Sequence, residues 1–305
     1  MKKFPENHLE PEIYIAKDGK GFKRWLLVVV LFFATFVFTF PFEKTLLGFV
    51  EKVITSQRAC PISYEKIELS YFMPGINFKN PTISGNCFQK PGNDLALDKL
   101  AVTFAGPNFS PFGVRFKALA ETEQSHIEAY PAVGFSGRVV RITDTKIGAD
   151  ILSTLTGMDL IVGELDIDGL VELAGNQVSS AKLKIESKSL KTSMTNIAGF
   201  LLPPMNLGSL LVLSELDASG KLFIEKLTLG SANSTLAANF KGDLTLNRYN
   251  MLYSNADLTG EVRFSDEFFE AIPIVKLLLQ GKQPTDGFYK LELKGPLGQT
   301  RPNFL

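Results

Sequence analysis

The chain has 305 residues, with 32 basic and 32 acidic side chains and a formal net charge of zero. That balance excludes the strongly basic face a nucleic-acid binder needs, and it argues equally against a dedicated polyanion binder. Phe is abundant at 25, whereas two Cys and two His leave little for a zinc site.

Residues 1–24 are polar and carry Pro5, Pro11 and Gly19, and they read as a short cytoplasmic tail with no motif. Residues 25–42 read WLLVVVLFFATFVFTFPF and hold no charge. A helix of that length rises about 27 Å, close to the hydrocarbon thickness of a bilayer. Lys20, Lys23 and Arg24 stand before it, so the positive-inside tendency keeps the N-terminus in the cytoplasm. A signal peptide is the main alternative, but the head is long and the exit, Thr39-Phe40-Pro41-Phe42-Glu43, lacks a small-x-small site. The segment therefore reads as an uncleaved, single-pass membrane anchor. Residues 43–59 form a linker whose Leu46, Leu47, Phe49, Val50, Val53 and Ile54 fall at amphipathic helical spacing.

Residues 60–305 form the remaining β-rich domain, on the far side of the membrane; the family resemblance given below implies that this side is the periplasm. Cys60 and Cys87 lie in an oxidising compartment if the anchor is oriented as argued, which favours a disulfide over two unpaired thiols. Period-two alternation marks strands at Glu65–Ser70, Ile76–Ile83, Leu100–Phe104 and Val114–Ala120. Two more lie within Gln124–Arg141, joined near Pro131–Gly134. Asp144–Leu155 switches to a helical period, with Asp144 as the cap and Gly157 past its end. Strands resume at Glu164–Gly169 and Lys182–Glu186. Ser193–Leu213 is apolar, broken by Pro203-Pro204, and reads as a helix followed by a loop. Further strands follow at Leu216–Leu229, Leu236–Leu246 and Asp257–Phe264. Ser265 caps a helix running to Gln280, kinked at Pro273 and ended by Gly281, and Gly287–Lys294 is the last strand. The expected fold is mainly β: an extended, curled antiparallel sheet with a few short helices packed on it, behind one transmembrane helix.

No nucleophile elbow, phosphate loop or metal-ligand spacing occurs, and no cofactor is implied. His126 reads as a structural residue, and Glu164, Asp166 and Asp168 as a solvated strand face. The reading is non-enzymatic. The opposite face is apolar: Leu165, Ile167, Leu183, Ile185, Phe240, Leu244, Leu246, Leu258, Val262, Leu291 and Leu293. Most one-sided sheets simply pack, so an ordinary core is the plainer reading; a groove for a partner or bound lipid is the sharper one.

Four features together resemble the type II secretion system protein N (GspN) family. They are the basic-flanked single span, the Met73-Pro74-Gly75-Ile76 turn between strands, the helix-bearing Phe264–Gln280 and the closing Asp286–Leu297 segment. Met73-Pro74 stands where that family often has Leu-Pro-Pro. The resemblance implies an inner-membrane accessory of the type II secretion machinery that acts by binding other secretion-system proteins, without catalytic residues. The strand-rich part is also similar to AsmA/TamB-type periplasmic β-groove proteins, which implies lipid binding or lipid transport as the alternative.

Overall fold

The computed structural model describes residues 60–305 apart from 71–73, 89–90, 157–160, 176, 198–199, 232 and 248–252, together with scattered positions between 25 and 56. Two compact units result, Met1–Val53 and Ile54–Leu305. In the first, residues 25–32 and 35 are helical, and Thr35 Oγ1 donates to the Leu31 carbonyl at 2.8 Å. The tail and the remainder of the 25–42 run lie outside the described residues. Among the described residues no helix is long and apolar enough to cross a membrane. Of the linker, positions 47–48, 51–52, 54 and 56 are helical; Leu46, Phe49, Val50 and Val53 lie outside the described residues.

The second unit is built on one large antiparallel sheet. Its strands in chain order begin with β1 (Ile62–Ser63), β2 (Lys66–Ser70), β3 (Gly75–Lys79), β4 (Thr82–Ile83) and β5 (Leu95–Ala96). The long strands β6 (Lys99–Phe109), β7 (Phe112–Glu121), β8 (His126–Gly134) and β9 (Gly137–Ile147) lead to helix α1 (Ala149–Thr156). Then come β10 (Ile161–Val162), β11 (Leu165–Ala174), β12 (Gln177–Thr192), β13 (Thr195–Ile197), β14 (Phe200–Leu202) and β15 (Asn206–Leu216). The last part holds β16 (Lys221–Leu229), β17 (Leu236–Thr245), β18 (Asn255–Phe264), α2 (Asp266–Ala271), α3 (Pro273–Leu278), β19 (Tyr289–Pro296) and β20 (Arg301–Phe304).

The sheet order is β2-β3-β6-β7-β8-β9-β11-β12-β15-β16-β17-β18-β19-β20, with β10 beside β12. It is a meander, so short hairpins join strands at one end (the tip end). The longer connections carrying α1, α2 and α3 all lie at the other (the base end). No pairing joins β2 to β20, so the sheet is open rather than a closed barrel. Both edges are guarded against further pairing. β2 has five residues and presents Lys66 and Glu68, and β20 has four and contains Pro302. A flat sheet holds second-neighbour strands about 9.5 Å apart. Residues of β6 and β8, and of β15 and β17, nevertheless come within 8 Å, so the sheet curls at β7 and at β16.

Several expectations are corrected. The run Ile76–Ile83 is not one strand: Asn80 turns the chain at φ 49, and β4 leaves the main sheet to pair with β1 and β5. Pro131 does not mark the turn. It sits inside β8 opposite Val140, and the chain reverses at Phe135–Ser136, because a proline costs only one ladder hydrogen bond there. Asp144 caps no helix. It lies in β9 at φ 50, where the β9–β11 register shifts by one, and α1 starts only at Ala149; Gly157 lies outside the described residues.

Ser193–Leu213 holds no described helix. It contains the β13–β14 hairpin and then β15, a strand that is apolar on both faces and pairs with β12 and β16 inside the main sheet. The Ser265–Gln280 helix is split rather than kinked at Pro273. Ile272 turns out at φ −133 between α2 and α3, since proline cannot donate to the turn before it. Ser265 is the cap as expected, its Oγ accepting from the Phe268 N–H at 3.2 Å, and Gly281 follows at φ 84. β20 had no counterpart among the expected strands.

Candidate functional site

Strand register decides which side chains share a face. Ile167 faces Ile185, which faces Val212, which faces Leu227, which faces Phe240. Phe240 lies opposite Gly260, and Gly260 opposite Leu291. A Cβ on Gly260 would stand 2.4 Å from the Phe240 ring, so glycine is what lets that ring lie across the strand. Towards the other edge, Ile167 faces Thr145, Gly169 faces Ile142, and Ile142 faces Ala129. The chain of pairs continues through Ala118 and Val102 to Ile76 and Leu69. One apolar face therefore runs across every strand of the main sheet.

The opposite face is charged. It carries the ion pairs Lys66–Glu68, Lys79–Glu68, Lys146–Glu164, Lys182–Glu215, Lys184–Glu186 and Lys221–Asp243. These are solvent-exposed pairs worth at most about 1 kcal/mol each, so they keep that face wet rather than hold the fold together.

Ten of the eleven residues expected to line a groove lie within strands on the apolar face, but in different settings. Leu258, Val262 and Leu291 are buried, packed among Ile224, Ala238, Phe240, Leu244, Phe264 and Phe304. Each contributes about 1.5–3 kcal/mol. Leu165, Ile167, Leu183, Ile185, Phe240, Leu244, Leu246 and Leu293 are only half-buried, Leu246 lying just beyond the end of β17.

The difference follows from what covers the face. At the base end of β6–β9, α1 and the small β1-β4-β5 sheet bury Leu95, Leu97 and Ile151 against Leu100, Ala120, Ile127 and Ile147. The Cys60–Cys87 disulfide closes this cap. At the base end of β17–β19, α2 lays Phe268 against Phe264, with ring centroids 4.7 Å apart. Over β11, β12 and β15, Ile167, Leu183, Ile185, Leu210 and Val212 stay half-buried, and among the described residues no core cluster of buried apolar side chains forms there.

Two polar clusters stand apart from this face. Glu128 is buried and accepts from Lys117 Nζ and Tyr130 Oη, with His126 Nε2 at 3.7 Å. The hydrogen bond from Lys117, then that from Tyr130, holds its carboxyl below the ordinary range. Asp150 accepts from Ser125 and Thr122 at the start of α1. Burial works to raise its pKa, but those hydroxyls and the helix-start N–H of Ile151 outweigh it and the net direction is down. Carboxylates held this way are fixed acceptors, not proton carriers at neutral pH. Among the described residues no group of three or more His, Cys, Asp or Glu is placed to hold a metal ion.

The Glu128 cluster carries a pH prediction. A carboxyl whose folded pKa lies below its unfolded value stabilises the fold above the unfolded pKa, near 4.3. That stability is lost as pH falls through the folded pKa. Glu128→Gln should therefore destabilise by about 1–2 kcal/mol at pH 7, with the gap to wild type closing below about pH 4. Thermal unfolding across a pH series checks it; a gap constant down to strongly acid pH would refute the assignment.

Nothing in the sequence pointed to a hollow lined by two arginines on the charged face between β7, β8 and β9. Arg115 and Arg141 lie far apart in sequence, and only the pairing of Arg115 with Ala132 and of Tyr130 with Arg141 brings them together. No family model matches the chain, and neither a curated protein nor a solved structure matches it.

Proposed function

We propose that this chain is a non-enzymatic, membrane-anchored envelope protein that holds acyl chains of lipid along its apolar sheet face. The observation that carries the reading is the half-buried apolar stretch over β11, β12 and β15, where the described residues form no buried core cluster. A face meant as an ordinary core would be roofed by a second layer, as it is at the base end of β6–β9. The anchor belongs to the same proposal: residues 25–32 are helical and uniformly apolar, and Trp25, Leu26, Leu27, Val28, Val30, Leu31 and Phe32 are all exposed. A helix greasy all round suits a lipid surround. With Lys20, Lys23 and Arg24 before it, the N-terminus lies in the cytoplasm and the sheet in the periplasm, where the Cys60–Cys87 disulfide persists.

The second reading is an accessory of the type II secretion machinery that binds other secretion-system proteins. It is favoured by where the family-like segments fall. Pro74-Gly75-Ile76 lies at the β2–β3 reversal, Met73 itself being outside the described residues, and Asp286–Leu297 contains β19.

Photo-crosslinking in membranes separates the two. A benzoylphenylalanine at Leu183 or Ile185 of the full chain should give phospholipid adducts, whereas one at the buried Leu291 should give none. Adducts to protein alone at 183 and 185 would sink the lipid reading, and recovery of a secretion component among them would favour the second.

A further inference from the structure

The tip end of the sheet carries a feature that the apolar face does not explain. The β6–β7 hairpin turns through Ser110-Pro111 with Phe109 opposite Phe112, 82% and 64% exposed. The next hairpin, β8–β9, turns through Phe135, 95% exposed, whose N–H donates to the Phe112 carbonyl at 3.2 Å. Behind these rings the cross-strand pair Val114 and Val133 is also exposed, as is Phe104. Free phenylalanines at adjacent loop tips have no role in a water-facing fold, where each costs solvation.

On the charged face just below the same tips lies a hollow of about 290 Å³, and Arg115, Arg141, Tyr130, Asn108, Ser110 and Thr143 line it. Arg115 donates through Nη2 to the Ala105 carbonyl at 3.3 Å, and its Nε is buried with no hydrogen-bond acceptor. No described carboxylate forms an ion pair with Arg115 or Arg141. The buried carboxylate nearby, Glu128, is already matched by Lys117. The hollow thus holds two guanidinium groups with no carboxylate partner, Arg115 lying 5.8 Å from the centroid of the Tyr130 ring, and they suit the oxygens of a phosphate.

We propose that the β6–β7 and β8–β9 tips dock on a bilayer containing anionic phospholipid. The three phenylalanines enter the acyl layer, and Arg115 with Arg141 takes a lipid phosphate. Rings at the tips with guanidinium groups set back from them along the strands match the order of layers in a membrane interface. A soluble anion would use the arginines but give the rings nothing to enter. A protein partner would cover the rings, but the paired, carboxylate-free arginines favour a surface of repeated phosphates. Docking stands apart from the trough reading, since the tips can bind a membrane whether or not the face of β11, β12 and β15 holds lipid.

The test uses the full chain in phosphatidylcholine nanodiscs, with empty nanodiscs as background. It is mixed with sucrose-loaded vesicles of phosphatidylcholine alone or with phosphatidylglycerol, and then sedimented. The expected result is co-sedimentation with the anionic vesicles, at least about tenfold above that with neutral ones, falling as salt rises. Phe109→Ser with Phe135→Ser should cut vesicle binding about tenfold or more, and both side chains are too exposed for their loss to shift thermal unfolding. Arg115→Gln with Arg141→Gln should abolish the preference for anionic vesicles while leaving the weak binding to neutral ones. Equal binding by the serine variant overturns the docking. Unchanged lipid preference in the glutamine variant overturns the phosphate site. Displacement of vesicles by millimolar inorganic phosphate together with no loss in the serine variant would assign the hollow to a free anion instead. Lipid adducts at Leu183 with no vesicle binding would defeat docking and leave the trough standing.

Discussion

Replacing Cys60 and Cys87 by alanine should lower the unfolding free energy by about 3.5 kcal/mol. The two residues are 27 apart in sequence, and the disulfide removes that loop's freedom from the unfolded chain. The loop contains β1, β2, β3 and β4, so it ties the small β1-β4-β5 sheet to the first strands of the main one. Both pairings in the small sheet are only two residues long and would be marginal alone. Without the disulfide the cap should open before the rest of the sheet, exposing Leu95 and Leu97. Urea unfolding of the full chain gives the free energy, and hydrogen exchange should show protection lost first over residues 82–97. A loss under about 1 kcal/mol would mean that the cap holds by packing alone.

Phe268→Ala should cost about 3–4 kcal/mol. Phe268 is buried, and its ring lies 4.7 Å from that of Phe264 and 6.5 Å from that of Phe269. α2 has six residues, too short to persist without tertiary packing. Its capping bond from Ser265 and its acidic first turn set where it starts, but they supply only about 1 kcal/mol each. Removing the ring should therefore melt α2 and uncover the Leu291–Val262 cluster beneath it. Ile274→Ala, on the exposed side of α3, is the matched control and should change stability by less than about 0.5 kcal/mol. Equal effects from the two substitutions would show that α2 does not hold that end of the sheet.

These two substitutions act on caps, and neither cap is legible as a cap in the sequence. Ser265 announces a helix through its own hydroxyl and the acidic residues after it, because capping is settled within four residues. That the helix breaks at Pro273 follows from local chemistry as well, although a kink is the milder reading of the same residue. What lies alongside the helix is only partly local: Phe264 is four residues before Phe268, whereas Tyr289 reaches the Phe264 ring only through the β18–β19 pairing. The Ser193–Leu213 stretch fails for a related reason. Its apolar run carries no strict alternation, and it sits in strands because β15 finds partners on both sides in the distant β12 and β16.

Alternation of charge and apolarity by itself determined that this protein is a sheet and which side chains share a face, because the pleat reverses direction at every residue regardless of neighbours. The same local rule put on one side the ten apolar residues that lie within strands, Leu246 standing past the end of β17. Only the tertiary structure decided that the sheet curls but stays open, that β4 peels away from β3, and that Arg115 and Arg141 line one hollow. Each of those outcomes depends on which distant strand lies alongside, and register between strands is fixed by contacts that a sequence read in order does not contain.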